Sequence, residues 1–301
     1  MALGSWFLVL LFMQNFEYLK PTTIEQAVAV LYREGEHAKA LSGGTDLIVQ
    51  LREGRRSAKY VLDVKKIPDL SQLTLNNDGS LIIGAATPCH QIYGNAAIAA
   101  TFPGLMDSFT LIGGTAIQGR ASVGGNLCTA SPAGDSIPSL IAHRAVCVIA
   151  GTNGWREVPV EAFCTAPGRN CLQRGELLVS LRIPAQPAHS GGAYLRFIPR
   201  NEMDIAVASA GVTVTLDGNT ITNARVAIGA VAPTPLLVNE ASAALIGHST
   251  SDTSAINACA VAAQAAAKPI TDMRGTVEQR VHLVGVMVKR ALAIAIERAN
   301  R

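Results

Sequence analysis

The stretch IQGRASVGGNLCTASPAGD, residues 117–135, sets Gly119, Gly124, Gly125 and Gly134 among small hydroxyl residues, with one base, Arg120, and one acid, Asp135. Backbone this bare can make a tight turn, bring its amides to an anionic group, or present a nucleophile. Glycine tolerates positive φ and lets a ligand touch the main chain, so successive N–H groups can converge on a phosphate. LSGGTDL, residues 41–47, repeats the theme with Gly43-Gly44, and Gly113-Gly114 adds a third pair. A fourth, Gly191-Gly192, falls in a Pro- and Gly-rich stretch and needs no ligand to explain it.

Several chemistries are excluded by inspection. The chain contains no G-x-G, so the Rossmann fingerprint is absent, and no G-K-[ST] follows a glycine run, so it is not a P-loop. Ser122 and Ser131 lack the G-x-S-x-G elbow. Cys128 has a candidate base in His143 but no oriented third partner. Two readings stay open: structural turns, or a phosphate-bearing cofactor held by backbone amides. The second accounts for the scarcity of cations in these loops, and a pyrophosphate bridging two loops needs two such clusters.

Metal chemistry is not indicated. The six cysteines form no C-x-x-C and the six histidines show no ligand spacing. Packed, reduced thiols of a cytoplasmic protein are the expectation. Hydrophobic content of 49% against 16% charged residues argues against disorder. A net charge of +3 with scattered bases, and only 5% aromatic residues, gives no footprint for nucleic acid.

The glycine loops must be carried by regular elements. FEYLKPTTIEQAVAVLYREG predicts a short strand, then a helix capped by Thr22 or Thr23 and ending near Gly35. AKALSGGTDLIVQLREG predicts a strand running into Gly43-Gly44 and a helix carrying Leu47, Ile48 and Leu51. YVLDV is a buried strand, and LTLNNDGSLIIGAAT a hairpin turning at Asp78-Gly79. Residues 86–109 are helical, interrupted by Pro103. SIPSLIAHRAVCVIAG predicts a helix leading into a strand, and GELLVSLRIP another strand. Pro184 to Gly192 is the best linker. Beyond it come an antiparallel pair turning at Asp217-Gly218 and two closing helices. Strands followed by helices make the second part a small α+β domain. The opening MALGSWFLVLLFM is too short to span a bilayer, which takes about 20 residues. It fits a start misassigned ahead of Met13, an apolar cap, or a weak signal sequence.

In combination the motifs resemble a known family. LSGGTDL, GRASVGGNLCTASPAGDSIP, GELLVSLRIP, AYLRFIPRNEMDIAVASAGV and VEQRVHLVGVMVKRAL, in that order, are similar to the FAD-binding medium subunit of molybdenum hydroxylases of the carbon monoxide dehydrogenase and xanthine dehydrogenase type. The resemblance covers about Phe16 to Leu292. It implies an α+β chain in which a two-subdomain FAD-binding domain of the vanillyl-alcohol-oxidase (PCMH) type is followed by a small α+β domain of antiparallel sheet and helices. The divisions expected are an apolar extension at 1–14, the FAD-binding domain at 15–188 and the C-terminal domain at 193–298.

The resemblance also implies the cofactor contacts. Ala40, Leu41, Ser42, Gly43, Gly44, Thr45, Asp46 and Leu47 would meet the FAD pyrophosphate. Ser122, Val123, Gly124, Gly125 and Asn126 would wrap the phosphate and ribityl side. Asp135 would hydrogen-bond the ribose or adenine end, with a helix N-cap as its rival role; Asn126 could instead be a left-handed turn residue. Ile112 and Thr115 would lie against the cofactor, and Leu178 near the flavin or adenine. Arg196 stands where the family often has lysine, eight residues before Asp204. Arg200 and Asp204 could pair structurally or serve the flavin. No residue is expected to be catalytic and none to bind a metal.

By the same resemblance, substrate chemistry would occur on a molybdopterin-binding large subunit. Electrons would reach the FAD through [2Fe–2S] clusters of a small subunit and leave to NAD, a quinone or oxygen. The assembly implied is a heterotrimer without a membrane span. The residues themselves leave room for a stand-alone flavin oxidoreductase, for which the C-terminal part looks small, and for a structural subunit that has lost FAD.

Overall fold

The computed structural model describes residues 14–301. The apolar N-terminal run and its three readings lie outside the described residues. The first lobe is a three-stranded parallel sheet, Glu17–Leu19 and Ala38–Leu41 flanking Tyr60–Asp63. Parallel neighbours need a crossover, and Ile24–Glu34 supplies the first. Thr23 caps that helix by accepting from Gln26 N, Gly35 ends it at φ +54°, and Ile24, Ala27, Val28 and Leu31 form its buried stripe. The short helix Leu47–Arg52 follows the first glycine loop, with Leu51 buried and Ile48 exposed.

The second lobe is a five-stranded antiparallel sheet in the order Leu73–Leu75, Leu81–Gly84, Leu177–Ile183, Val146–Gly151, Gly154–Pro159. Pro103 does not simply interrupt a helix: it opens one. The segment is three short helices, Cys89–Tyr93, Ala96–Thr101 and Pro103–Phe109, with Asn95 capping the second and Pro103 at the first position of the third. Proline is favoured there because its missing N–H would be unpaired anyway. The helices Val123–Thr129 and Ser136–Ala142 complete the lobe. Val123, Leu127, Ile137, Leu140 and Ile141 enter one core with Phe102, Phe109 and Phe163.

The C-terminal part is a four-stranded antiparallel sheet, Ser190–Phe197, Ala208–Asp217, Thr220–Gly229 and Leu236–Leu237, covered by Thr253–Ala266 and Val277–Ala299. The long helix buries Val284, Met287, Val288, Ala291, Leu292 and Ala295, a stripe at helical spacing. One expectation is corrected here. Gly191 and Gly192 are not linker but strand, and the connection shortens to Pro184–His189. A Cβ on Gly191 would lie 2.0 Å from Ala295 O, and one on Gly192 2.5 Å from His143 Nε2. They are glycines so that the long helix and the second lobe can close on this strand. Asp107 fastens the seam: its carboxylate accepts from Arg298 Nη1 at 2.6 Å, Arg298 Nη2 at 3.0 Å and Tyr194 N at 3.1 Å.

Candidate functional site: the cleft between the two glycine loops

The glycine loops lie side by side in the wall of a cavity of about 700 Å3, within the range of cofactor sites. The first leaves the C-terminal end of the strand Ala38–Leu41; the second enters the helix Val123–Thr129. Ser42 Oγ and Ser122 Oγ are 2.7 Å apart and join the loops directly. Ser122 also caps its helix by accepting from Gly125 N at 3.1 Å. Lys65 Nζ donates to Ser42 O at 3.0 Å and pairs with Asp63 at 2.6 Å, fixing the first loop from below. Burial pushes the Asp63 carboxyl up, but hydrogen bonds from Lys65 and the Tyr18 hydroxyl outweigh it, and the net shift is downward.

The glycines have two separable jobs. A Cβ on Gly43 would sit 2.1 Å from Arg120 O, and one on Gly124 2.5 Å from Ala85 Cα. These two are glycines because main chain packs on main chain. Gly44 holds φ +78°, which favours glycine. A Cβ on Gly125 would meet Ser122 Oγ at 2.9 Å and Ser42 only at 4.0 Å, so the cleft lies on that side. The N–H groups of Gly43, Gly44, Thr45 and Gly124 donate to no acceptor among the described residues, and all four residues line the cavity. Unpaired backbone donors in a concave wall suit a ligand that brings acceptors.

Of the residues expected at the cofactor, the cavity wall contains Ala40, Ser42, Gly43, Gly44, Thr45, Asp46, Leu47, Ile112, Ser122, Gly124, Gly125, Asn126 and Leu178. Leu41 and Val123 are buried in the lobes' cores, and Thr115 is exposed on the loop beyond Ile112. Asp135 and Arg196 stand apart from the wall and hold each other. Asp135 accepts from Arg196 Nη1 at 2.6 Å and from Tyr194 Oη at 2.7 Å. Burial pushes its carboxyl up to about 6 against the pull of both partners. It makes no N-cap bond. Its neighbour Ser136 donates to Asn126 Oδ1 at 2.7 Å. Asn126 is helical rather than a left-handed turn residue; that conformation belongs to Ala130, φ +50°. Arg200 and Asp204 form an exposed-side ion pair at 3.3 Å.

The nucleophile reading loses its base. His143 is buried, its Nδ1 bonded to Ser139 O, and burial lowers its pKa to about 4. Burial pushes the Cys128 thiol up to about 12. Among the described residues no three His, Cys, Asp or Glu side chains gather to hold a metal ion. Sequence reasoning missed the cations of the wall: Lys39, Arg56 and Arg174 line the cavity although the loops themselves carry few. They come from a strand, a distant turn and the other lobe, so no local pattern announces them.

The family model described as "FAD binding domain in molybdopterin dehydrogenase" matches residues 14–186, and the "CO dehydrogenase flavoprotein C-terminal domain" matches 193–295. The chain belongs to this family. It is the FAD-binding medium subunit type of the carbon monoxide dehydrogenase and xanthine dehydrogenase family, an oxidoreductase flavoprotein subunit whose cofactor is FAD. It is 32% identical to the carbon monoxide dehydrogenase medium chain of Hydrogenophaga pseudoflava over 93% of this chain and 97% of that one. It is 29% identical to the xanthine dehydrogenase FAD-binding subunit of Escherichia coli O157:H7 over 94% of this chain and 97% of that one. A solved structure of the Hydrogenophaga pseudoflava carbon monoxide dehydrogenase superposes with a TM-score of 0.91, covering 95% of this chain and 99% of that one. Quinoline 2-oxidoreductase of Pseudomonas putida, 22% identical, shares the fold at a TM-score of 0.88 over 96% of this chain and 100% of that one.

Proposed function

We propose that this chain is the electron-transfer subunit of a molybdenum hydroxylase complex. Its FAD would receive electrons from [2Fe–2S] clusters of one partner subunit, fed by a molybdopterin-binding large subunit, and would pass them to an external acceptor such as NAD, a quinone or oxygen. The observation that carries the reading is the cleft itself: two glycine loops, bonded through Ser42 and Ser122, with unpaired amides in its wall. Those amides would hold the pyrophosphate. Ile112 and Leu178 would give the cofactor's rings an apolar wall, and Lys65, through Ser42 O, would keep the first loop in register. When bound, FAD supplies a carrier that takes electrons singly and releases them as a pair. Asp135 and Arg196 would contribute by position, since Ser136 beside them fixes Asn126 in the wall. The divisions would be an FAD-binding domain at 15–188 and a C-terminal domain at 193–298, parted by the end of the Pro184–His189 connection and the first residues of the strand Ser190–Phe197. The free cysteines are in keeping with a cytoplasmic setting, and no helix among the described residues is long and apolar enough to cross a membrane.

The test has two arms. The chain loaded with FAD should keep its visible flavin bands through desalting and lose them to excess ADP, which shares the pyrophosphate and adenosine. Tagged in its native host, it should co-purify with molybdenum and iron. FAD lost on desalting, or a flavin-bearing chain that brings neither metal, overturns the reading.

A further inference from the structure

Two cations of the cavity wall are left without partners. Lys39 lies on the strand Ala38–Leu41, and Arg56 in the turn that returns from the helix Leu47–Arg52; both line the cavity. Among the described residues neither side chain donates a hydrogen bond or enters an ion pair. The other cations nearby are engaged. Arg174 donates to Tyr32 O at 2.7 Å and Arg33 O at 2.9 Å, and Lys65 is held by Ser42 O and Asp63. Lys39 is half-buried, and burial together with the Arg56 charge lowers its pKa, with Glu36 pulling the other way. Two like charges side by side, one of them partly desolvated, are unfavourable until an anion joins them.

Position says which anion. Lys39 precedes Ser42 by three residues along a strand, roughly 10 Å at about 3.3 Å per residue, and its four-carbon stem covers much of that gap. The loops supply direction through amides but no positive charge, while FAD carries a diphosphate. On the reading that FAD occupies the cleft, we propose that Lys39 and Arg56 are the counter-charges of its pyrophosphate. They reach from the cavity wall onto the phosphate oxygens that the glycine-loop amides orient. The pair thereby selects FAD over flavins without a diphosphate.

The test measures binding to the full chain by equilibrium dialysis with two probes, FAD and riboflavin, for wild type, K39M, R56M and the double variant. Arg56 is exposed and Lys39 half-buried, and neither has a partner to lose, so thermal melts without flavin should not fall below wild type. The double variant should bind FAD about tenfold to a hundredfold more weakly at low salt, the range for losing two charge-assisted contacts that solvent partly screens. The gap should narrow between about 0.05 and about 0.5 M salt as screening shortens the charges' reach. Riboflavin affinity should stay the same, and R56K should recover part of the loss. A double variant within twofold of wild type for FAD overturns this role while leaving the cofactor reading intact. An equal loss for riboflavin also overturns it, because the pair would then shape the cavity instead of meeting phosphate. A wild-type chain that binds no FAD overturns both.

Discussion

Replacing Gly43 and Gly125 separately by alanine should divide packing from ligand binding. At Gly43 the new methyl would stand 2.1 Å from Arg120 O and 2.7 Å from its carbonyl carbon, with Ala121 Cα at 3.1 Å. Ordinary contact begins near 3.4 Å, so main chain must retreat by more than an ångström, and backbone cannot turn aside as a side chain can. Overpacking of this kind costs about 1–3 kcal/mol, and the absence of a flexible neighbour puts Gly43→Ala at the upper end. For a chain of this size that is a fall of roughly 4 °C in Tm. At Gly125 the nearest atom is Ser122 Oγ at 2.9 Å, a group that can rotate. Losing that cap costs about 1 kcal/mol, and alanine regains about 1 kcal/mol over glycine inside a helix. Gly125→Ala should therefore leave Tm within about 2 °C. Its methyl lies in the cavity wall against the bonded Ser42–Ser122 pair, so FAD affinity should drop at least tenfold. Melts are read by circular dichroism on flavin-free chain, since bound ligand would raise Tm by mass action; affinity is read by quenching of flavin fluorescence. A Gly43→Ala chain that melts with the wild type would refute the packing argument. A Gly125→Ala chain with wild-type affinity would refute the placement of the cleft.

Other expectations follow from the seam and the thiols. The raised Asp135 pKa means its fold contribution is complete below the unfolded value of 3.8 and is lost as pH rises through about 6. Relative to D135N, the wild-type unfolding free energy from urea titrations should thus decline between pH 4 and pH 6, with a slope approaching about 1.4 kcal/mol per pH unit; a flat difference would contradict the burial argument. Arg298→Ala strips Asp107 of two of its three donors, and limited proteolysis should then cut the Pro184–His189 connection several-fold faster. Burial raises the thiols of Cys89, Cys128 and Cys259 to about 12 and of Cys164 to about 11. Cys89 and Cys259, the fully buried pair of these four, should react with a disulfide reagent at pH 8 only after denaturant is added, and prompt labelling of either in the native chain would show an opening that the fold does not contain.

What the sequence disclosed was what local rules encode. Thr23 and Gly35 bound a helix by capping chemistry, Asp78-Gly79 turns a hairpin, and the order of the glycine motifs carried the family. What it hid depends on partners far along the chain. Gly191-Gly192 reads as a linker because nothing nearby reveals Ala295 O and His143 closing on it. Gly43 and Gly124 look like ligand glycines, yet backbone from Arg120 and Ala85 dictates them. A valine at Gly124 would therefore abolish flavin binding by breaking a packed contact, and would say little about phosphate. Asp135 was legible as special, but Tyr194 and Arg196, some sixty positions on, hold its carboxylate. Lys39 and Arg56 carry no motif at all. Only the return of the chain after Leu47–Arg52 sets them side by side.

The Asp107–Arg298 clasp also imposes a timetable. Its two halves are separated by 191 positions. At about 5–20 residues per second, translation reaches Arg298 roughly 10 to 40 seconds after Asp107. Both glycine loops are made well before that moment, so a nascent chain has a cleft to fill while the strand Ser190–Phe197 still lacks the helix that will press on Gly191. Flavin supply during that interval, and not only afterwards, then bears on how much of the newly made protein matures.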